Sequence, residues 1–212
     1  MANGKIYIID DDEAVRESLS MLLEAEDMEV ETFNSAQAFL SGCTENIDPS
    51  SDCVLADVRM PGMTGLDLQR LLAKKFPSLP VIIVTGHGDL SMAVKAMKAG
   101  AADFIEKPYA AEDIVQKVKE AIESARAIAS GARGVEGGDQ SALQIAKLSP
   151  RERQVFDVLV VGHTNKEIAR RLDISPRTVE VHRAHIMEKT NVRGLSQLVR
   201  MALDAGHELR DD

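Results

Sequence analysis

Ile6-Tyr7-Ile8-Ile9-Asp10-Asp11-Asp12 decides the fold: four mostly aliphatic residues run straight into three carboxylates. An apolar run this short suits a strand buried on both faces. A polar cluster at its C-terminal end suits the edge where open parallel sheets bind ligands. Further apolar runs lie at residues 30–33, 53–56, 81–84 and 104–105. Helical spacing fills the gaps: Val15, Leu19 and Leu22; Leu68, Leu71 and Leu72; residues 92–97; and Ile114, Val118 and Ile122. Five strands alternating with helices predict an α/β unit with a parallel sheet covered on both faces.

The strand ends carry the chemistry. Asp10 and Asp11 follow the first apolar run, Asp57 the third, Thr85 the fourth and Lys107-Pro108 the fifth. In a parallel sheet these ends share one edge, so residues distant in sequence meet in one pocket. Three carboxylates there repel one another unless a cation holds them, and a hard, oxygen-seeking Mg²⁺ suits such a set. Lys107 adds a compact positive charge, and the Thr85 hydroxyl can donate to a phosphoryl oxygen. Asp57 is the expected nucleophile, forming an acyl phosphate whose charge spreads over metal, lysine and hydroxyl.

At 212 residues the chain suits two domains, and 44% apolar with only 3% aromatic content predicts aliphatic cores. Residues 1–126 hold 12 Lys and Arg against 22 Asp and Glu, whereas residues 147–200 hold 11 against 6. Only the second region has the charge to sit on a phosphate backbone. There is no apolar run of about 18 residues and no basic-then-apolar start, so a soluble, cytoplasmic chain with no membrane partner is expected. Cys43 and Cys53 are expected as reduced thiols. Gly131, Gly134, Gly137 and Gly138 mark residues 127–146 as a linker between a first domain, 1–126, and a second, 147–212. The last helix of the first domain has room to run some way into it.

The second domain reads as all helical. Ser149-Pro150-Arg151-Glu152 and Thr164-Asn165-Lys166-Glu167 are capping boxes, and Ser175-Pro176 starts a third helix running to about Lys189. A fourth helix covers roughly residues 195–205. A helix, tight turn and helix within a four-helix unit is helix-turn-helix architecture.

Several stretches resemble known motifs. Ile8-Ile9-Asp10-Asp11, Ala56-Asp57-Val58-Arg59-Met60-Pro61-Gly62, Val84-Thr85-Gly86-His87-Gly88 and Phe104-Ile105-Glu106-Lys107-Pro108 resemble the receiver domains of two-component response regulators. Asn165-Lys166-Glu167-Ile168-Ala169 and Ile174-Ser175-Pro176-Arg177-Thr178-Val179-Glu180-Val181-His182-Arg183 resemble the LuxR-type effector domain. Together the chain is similar to the FixJ/NarL family and most like its FixJ subgroup. The resemblance implies a flavodoxin-like five-stranded parallel sheet of order 2-1-3-4-5. It implies that a sensor histidine kinase phosphorylates Asp57, and that Asp10, Asp11, Asp57 and the Arg59 carbonyl hold Mg²⁺. Thr85 and Phe104 match the family's switch pair. The implied output is a homodimer that binds double-stranded promoter DNA and regulates transcription. No enzyme activity is implied beyond the chain's own phosphorylation and dephosphorylation.

Helical spacing places Val179, His182, Ile186 and Met187 inward on the third helix. The outward stripe assigns base reading to Arg177, Glu180, Val181 and Ala184, and phosphate contact to Lys166, Thr178, Arg183 and Lys189. Two alternatives stay open: Glu180 pairing with a neighbouring cation, and Arg177 meeting phosphate instead of guanine. Lys95, Lys98, Asp103 and Glu106 form a mixed-charge face suited to pairing across a two-fold axis. Two rivals fit less well. A haloacid-dehalogenase-type phosphatase needs Asp-x-Asp-x-Thr/Val after its first strand, but the fifth position from Asp10 is Ala14 and the third from Asp11 is Glu13. A one-component, ligand-sensing regulator has no need of Asp57, Thr85 and Lys107 together.

Overall fold

The computed structural model describes residues 4–43, 46–86, 90–130 and 137–207. They form two compact units, one drawn from the described residues within 1–87 and 99–132, the other from those within 88–98 and 133–212.

The first unit is built on strands β1 (Lys5–Ile9), β2 (Glu29–Phe33), β3 (Cys53–Asp57), β4 (Val81–Thr85) and β5 (Asp103–Glu106). All neighbours are parallel and the order is β2-β1-β3-β4-β5, as the resemblance implied. Residues of β3 and β4 are buried throughout, which explains why their sequences are unbroken apolar runs and not alternating ones. One face packs on α1 (Glu13–Glu24) and α5 (Ala111–Ala129). Leu19, Leu23, Ile114 and Val118 there meet Ile6, Ile8, Leu55, Ile82, Val84 and Ile105. Tyr7 looks to the other side and meets the Phe39 ring of α2 (Ala36–Gly42) edge-on at 5.3 Å. On that side α3 (Gly65–Lys75) packs against β4. The seven-residue α2 has no counterpart in the sequence reading, because its apolar content is too short to show a helical period.

α5 runs on to Ala129, into the stretch where the last helix of the first domain had room to extend. One departure from expectation follows it: α6 (Gly137–Ala146) is a helix where linker was expected. α6 packs against α10 (Leu195–Asp204) and buries Ile145. One buried residue in a glycine-led segment leaves no local period to read. The second unit also contains α4 (Leu90–Lys98), α7 (Pro150–Leu159), α8 (Asn165–Leu172) and α9 (Pro176–Thr190). Both capping boxes form as expected, on Ser149 with Glu152 and on Thr164 with Glu167. Asp173, in the left-handed region at φ 52°, ends α8 and makes the tight turn. Among the described residues no helix is long and apolar enough to cross a membrane.

Cys43 and Cys53 are free and buried. Burial and the neighbouring Glu31 carboxylate push the Cys43 thiol up to about 11, and burial raises the Cys53 thiol further.

Candidate functional site

The C-terminal ends of β1, β3 and β5 bring three charged groups into direct contact. Asp10 is 3% exposed and Asp57 8%. Lys107 Nζ donates to Asp10 Oδ2 at 2.9 Å and to Asp57 Oδ1 at 2.7 Å. The other oxygens accept from backbone: Asp10 Oδ1 from the Asp12 N–H and Asp57 Oδ2 from the Arg59 N–H. Burial works to lower the Lys107 pKa, but its bonds to Asp57 and Asp10 outweigh that, and the ammonium pKa is raised. Gly65 makes the approach of α3 to this edge possible. A Cβ there would lie 2.1 Å from the Asp57 carbonyl oxygen.

Thr85 is buried, one residue beyond the partner of Asp57 on the neighbouring strand. Phe104 pairs with Ile83, so by the two-residue period of a strand it shares a face with Thr85, and its ring is buried. His87 and Gly88, in the motif that follows β4, lie outside the described residues. Asp11 is exposed, while Asp12 is the N-cap of α1, accepting from the Ala14 N–H at 2.9 Å. Among the described residues no group of three or more His, Cys, Asp or Glu side chains forms a metal cluster. The expected donors, Asp10, Asp11, Asp57 and the Arg59 carbonyl, are all oxygens, the chemistry a hard divalent cation takes, and two buried carboxylates share a single ammonium.

Sequence reasoning missed Arg16, whose Nη1 donates to the Asp10 carbonyl oxygen at 2.7 Å and ties α1 to the end of β1. Its signal was present: an arginine one helical turn beyond the Asp12 cap. Asp103, expected on an exposed pairing face, is instead buried and joined to Lys117 of α5 at 2.7 Å. A carboxylate in the first position of an edge strand is turned inward when a long cation reaches it from the covering helix.

In the second unit, Lys166 lies in the first turn of α8, and Arg177, Thr178, Glu180, Val181 and Ala184 are exposed on α9. Val179, Ile186 and Thr190 form the buried stripe of α9, with His182 and Met187 half-buried beside it. Arg177 Nη1 bonds Glu180 Oε2 at 2.9 Å, both exposed. Arg183 reaches back to Asn165 Oδ1 at the start of α8. Lys189, expected at phosphate, has its ammonium bound to both oxygens of Glu152, at 2.9 and 2.7 Å.

A 2-1-3-4-5 parallel sheet with this lysine-bridged aspartate pair defines the receiver class, here followed by a helix-turn-helix unit. The family model for the response regulator receiver domain matches residues 6–119, and that for bacterial regulatory proteins of the luxR family matches residues 146–202. The chain belongs to the response regulators with a LuxR-type domain, a family of phosphorylation-activated transcription regulators. It is 45% identical over 203 residues to the transcriptional regulatory protein FixJ of Bradyrhizobium diazoefficiens, covering 96% of each chain. It is 42% identical to the response regulator protein TodT of Pseudomonas putida, covering 92% of this chain and 84% of that one. Among solved structures it is similar to full-length FixJ from B. japonicum, at 44% identity and a TM-score of 0.57, covering 97% and 98% of the two chains.

Proposed function

We propose that Asp57 is the phosphoacceptor and that its phosphorylation governs DNA binding by α9. The observation that carries this is Lys107 held between two buried carboxylates, Asp10 and Asp57. A carboxylate oxygen of Asp57 attacks the phosphorus of a phosphohistidine on a sensor kinase. The P–N bond breaks, the imidazole leaves, and an acyl phosphate remains. Lys107 stands beside the charge that develops, and Thr85 donates to a phosphoryl oxygen once its hydroxyl leaves the weak 3.4 Å contact with the Gly86 carbonyl. Mg²⁺, held by Asp10, Asp11, Asp57 and the Arg59 carbonyl, supplies further charge neutralisation when bound. The buried Phe104 on the same face is the group that moves with Thr85. The chemistry proposed for the chain is on its own aspartate, and its proposed place is the cytoplasm.

On DNA, Arg177, Glu180, Val181 and Ala184 read base edges, while Lys166, Thr178 and Arg183 hold phosphates. The exposed Val181 suits a thymine methyl group. Phosphorylated chains bind promoter DNA as a homodimer, which places two α9 helices on two half-sites. The test combines acetyl phosphate and Mg²⁺ with intact mass, gel filtration and binding to promoter duplex on one sample. One phosphate per chain, a shift to dimer and tighter binding are expected. An unchanged mass at Asp57 overturns the phosphoacceptor assignment. A phosphoprotein that stays monomeric yet binds tightly overturns the dimer.

A further inference from the structure

The first turn of α7 holds the ends of both helices that follow it. Arg151 Nη2 donates to the carbonyl oxygen of Leu172, the last residue of α8, at 2.7 Å. Its Nη1 is fixed by Gln154 Oε1, also at 2.7 Å. Next to it Glu152, 4% exposed, takes the Lys189 ammonium on both oxygens, and Lys189 lies in the last turn of α9. The same carboxylate accepts the Ser149 N–H at 2.7 Å as part of the capping box, and His185 Nδ1 stands 3.8 Å away, one turn earlier on α9. Neighbouring residues on a helix point about 100° apart, so one dipeptide can reach two different helices.

We propose that Arg151 and Glu152 are positioning residues that set the angle of α9 against α8, and that Lys189 serves DNA recognition through Glu152 and not by touching phosphate. The inference rests on the DNA-binding function proposed above. An ammonium already neutralised by a buried carboxylate displaces no counterion when it nears DNA, so it adds nothing to the salt dependence of binding. It governs instead whether Arg177, Glu180, Val181 and Ala184 meet base edges in register. Its loss should therefore erase discrimination and leave sequence-independent binding intact.

The test uses the full chain, treated with acetyl phosphate and Mg²⁺, on a duplex that the wild type enriches from a random pool and on a scrambled duplex. Glu152→Gln with Lys189→Met removes the pair at constant net charge, and the introduced glutamine keeps the capping acceptor that a box requires. Circular dichroism at the assay temperature confirms that each variant is folded. The double variant should lose about tenfold in affinity for the enriched duplex, while affinity for the scrambled duplex and the salt slope stay as in wild type. Lys189→Arg alone, which keeps the ion pair with Glu152, should retain discrimination. Lys166→Met is the reference for a phosphate contact: it should weaken both duplexes and reduce the slope by about 0.9 for each bound chain, about 1.8 for the dimer. A similar fall in slope in the double variant, or unchanged discrimination, overturns the inference. A wild type that enriches no duplex, with Lys166→Met without effect, overturns the DNA-binding function itself.

Discussion

Two lysine–carboxylate contacts, one in each unit, use the same chemistry to opposite ends. In the second unit Lys189 and Glu152 balance one for one, and the remaining acceptor capacity of Glu152 is taken by Ser149 and the cap. In the first unit a single ammonium serves two buried carboxylates, Asp10 and Asp57, and leaves a negative charge over. A closed charge set holds helices in place. An open one leaves charge that a further cation could balance, and Asp57, the nucleophile proposed above, belongs to it. What separates structure from reactivity is not burial or ion pairing, which both sites share, but whether the charges cancel.

The comparison breaks most decisively at Asp57. Asp57→Asn should abolish the phosphate adduct on intact mass. A stoichiometric adduct in that variant would mean the open charge set lies elsewhere. Lys107→Met should slow phosphorylation by small donors by about 10²–10³-fold, the usual cost of removing one preorganised charge-stabilising donor. A rate within about twofold of wild type would show Lys107 to be a structural partner, like Lys189. In the second unit Lys189→Met should lower unfolding stability by about 1–3 kcal/mol in denaturant melts, because Glu152 stays buried and charged.

A pH profile sharpens the same point. The Lys189 ammonium and the Ser149 N–H hold Glu152 at about 2, against an ordinary 4.5. A carboxyl depressed on folding contributes stability that is fully present above 4.5 and is lost as pH falls towards 2. The stability gap between wild type and Glu152→Gln should therefore close across that window, and a gap independent of pH would deny the charge its role. The smallest effect expected is for Asp12→Ala, about 1 kcal/mol for the lost cap of α1, with phosphate uptake unchanged. Impaired uptake would place Asp12 in the reacting set.

The charged edge was legible in the sequence because a parallel sheet brings strand ends together by topology alone. Asp10, Asp57, Thr85 and Lys107 needed only the order of apolar runs to be gathered. The caps on Ser149, Thr164 and Ser175 were legible because each is completed within four residues. What escaped depends on long-range pairing between side chains. Lys189 reaches Glu152 across 37 positions, and Asp103 and Lys117 meet only once a helix lies on its strand. Neither leaves a trace in spacing, and Lys189, Lys117 and Asp103 look solvated until the fold supplies a partner. α6 and α2 escaped for a related reason: each depends on one or two buried residues rather than a periodic stripe.

The two buried cysteines make this chain easy to watch. Burial raises both thiol pKa values, so little of either cysteine is thiolate at neutral pH. Alkylating dyes and spin labels attack thiolates, so the native protein is close to silent towards them. A single new cysteine on the exposed face of α9, or at the exposed Met21 of α1, would take up nearly all of the label. Distances and mobilities could then be followed through phosphorylation without deleting either native residue from its core.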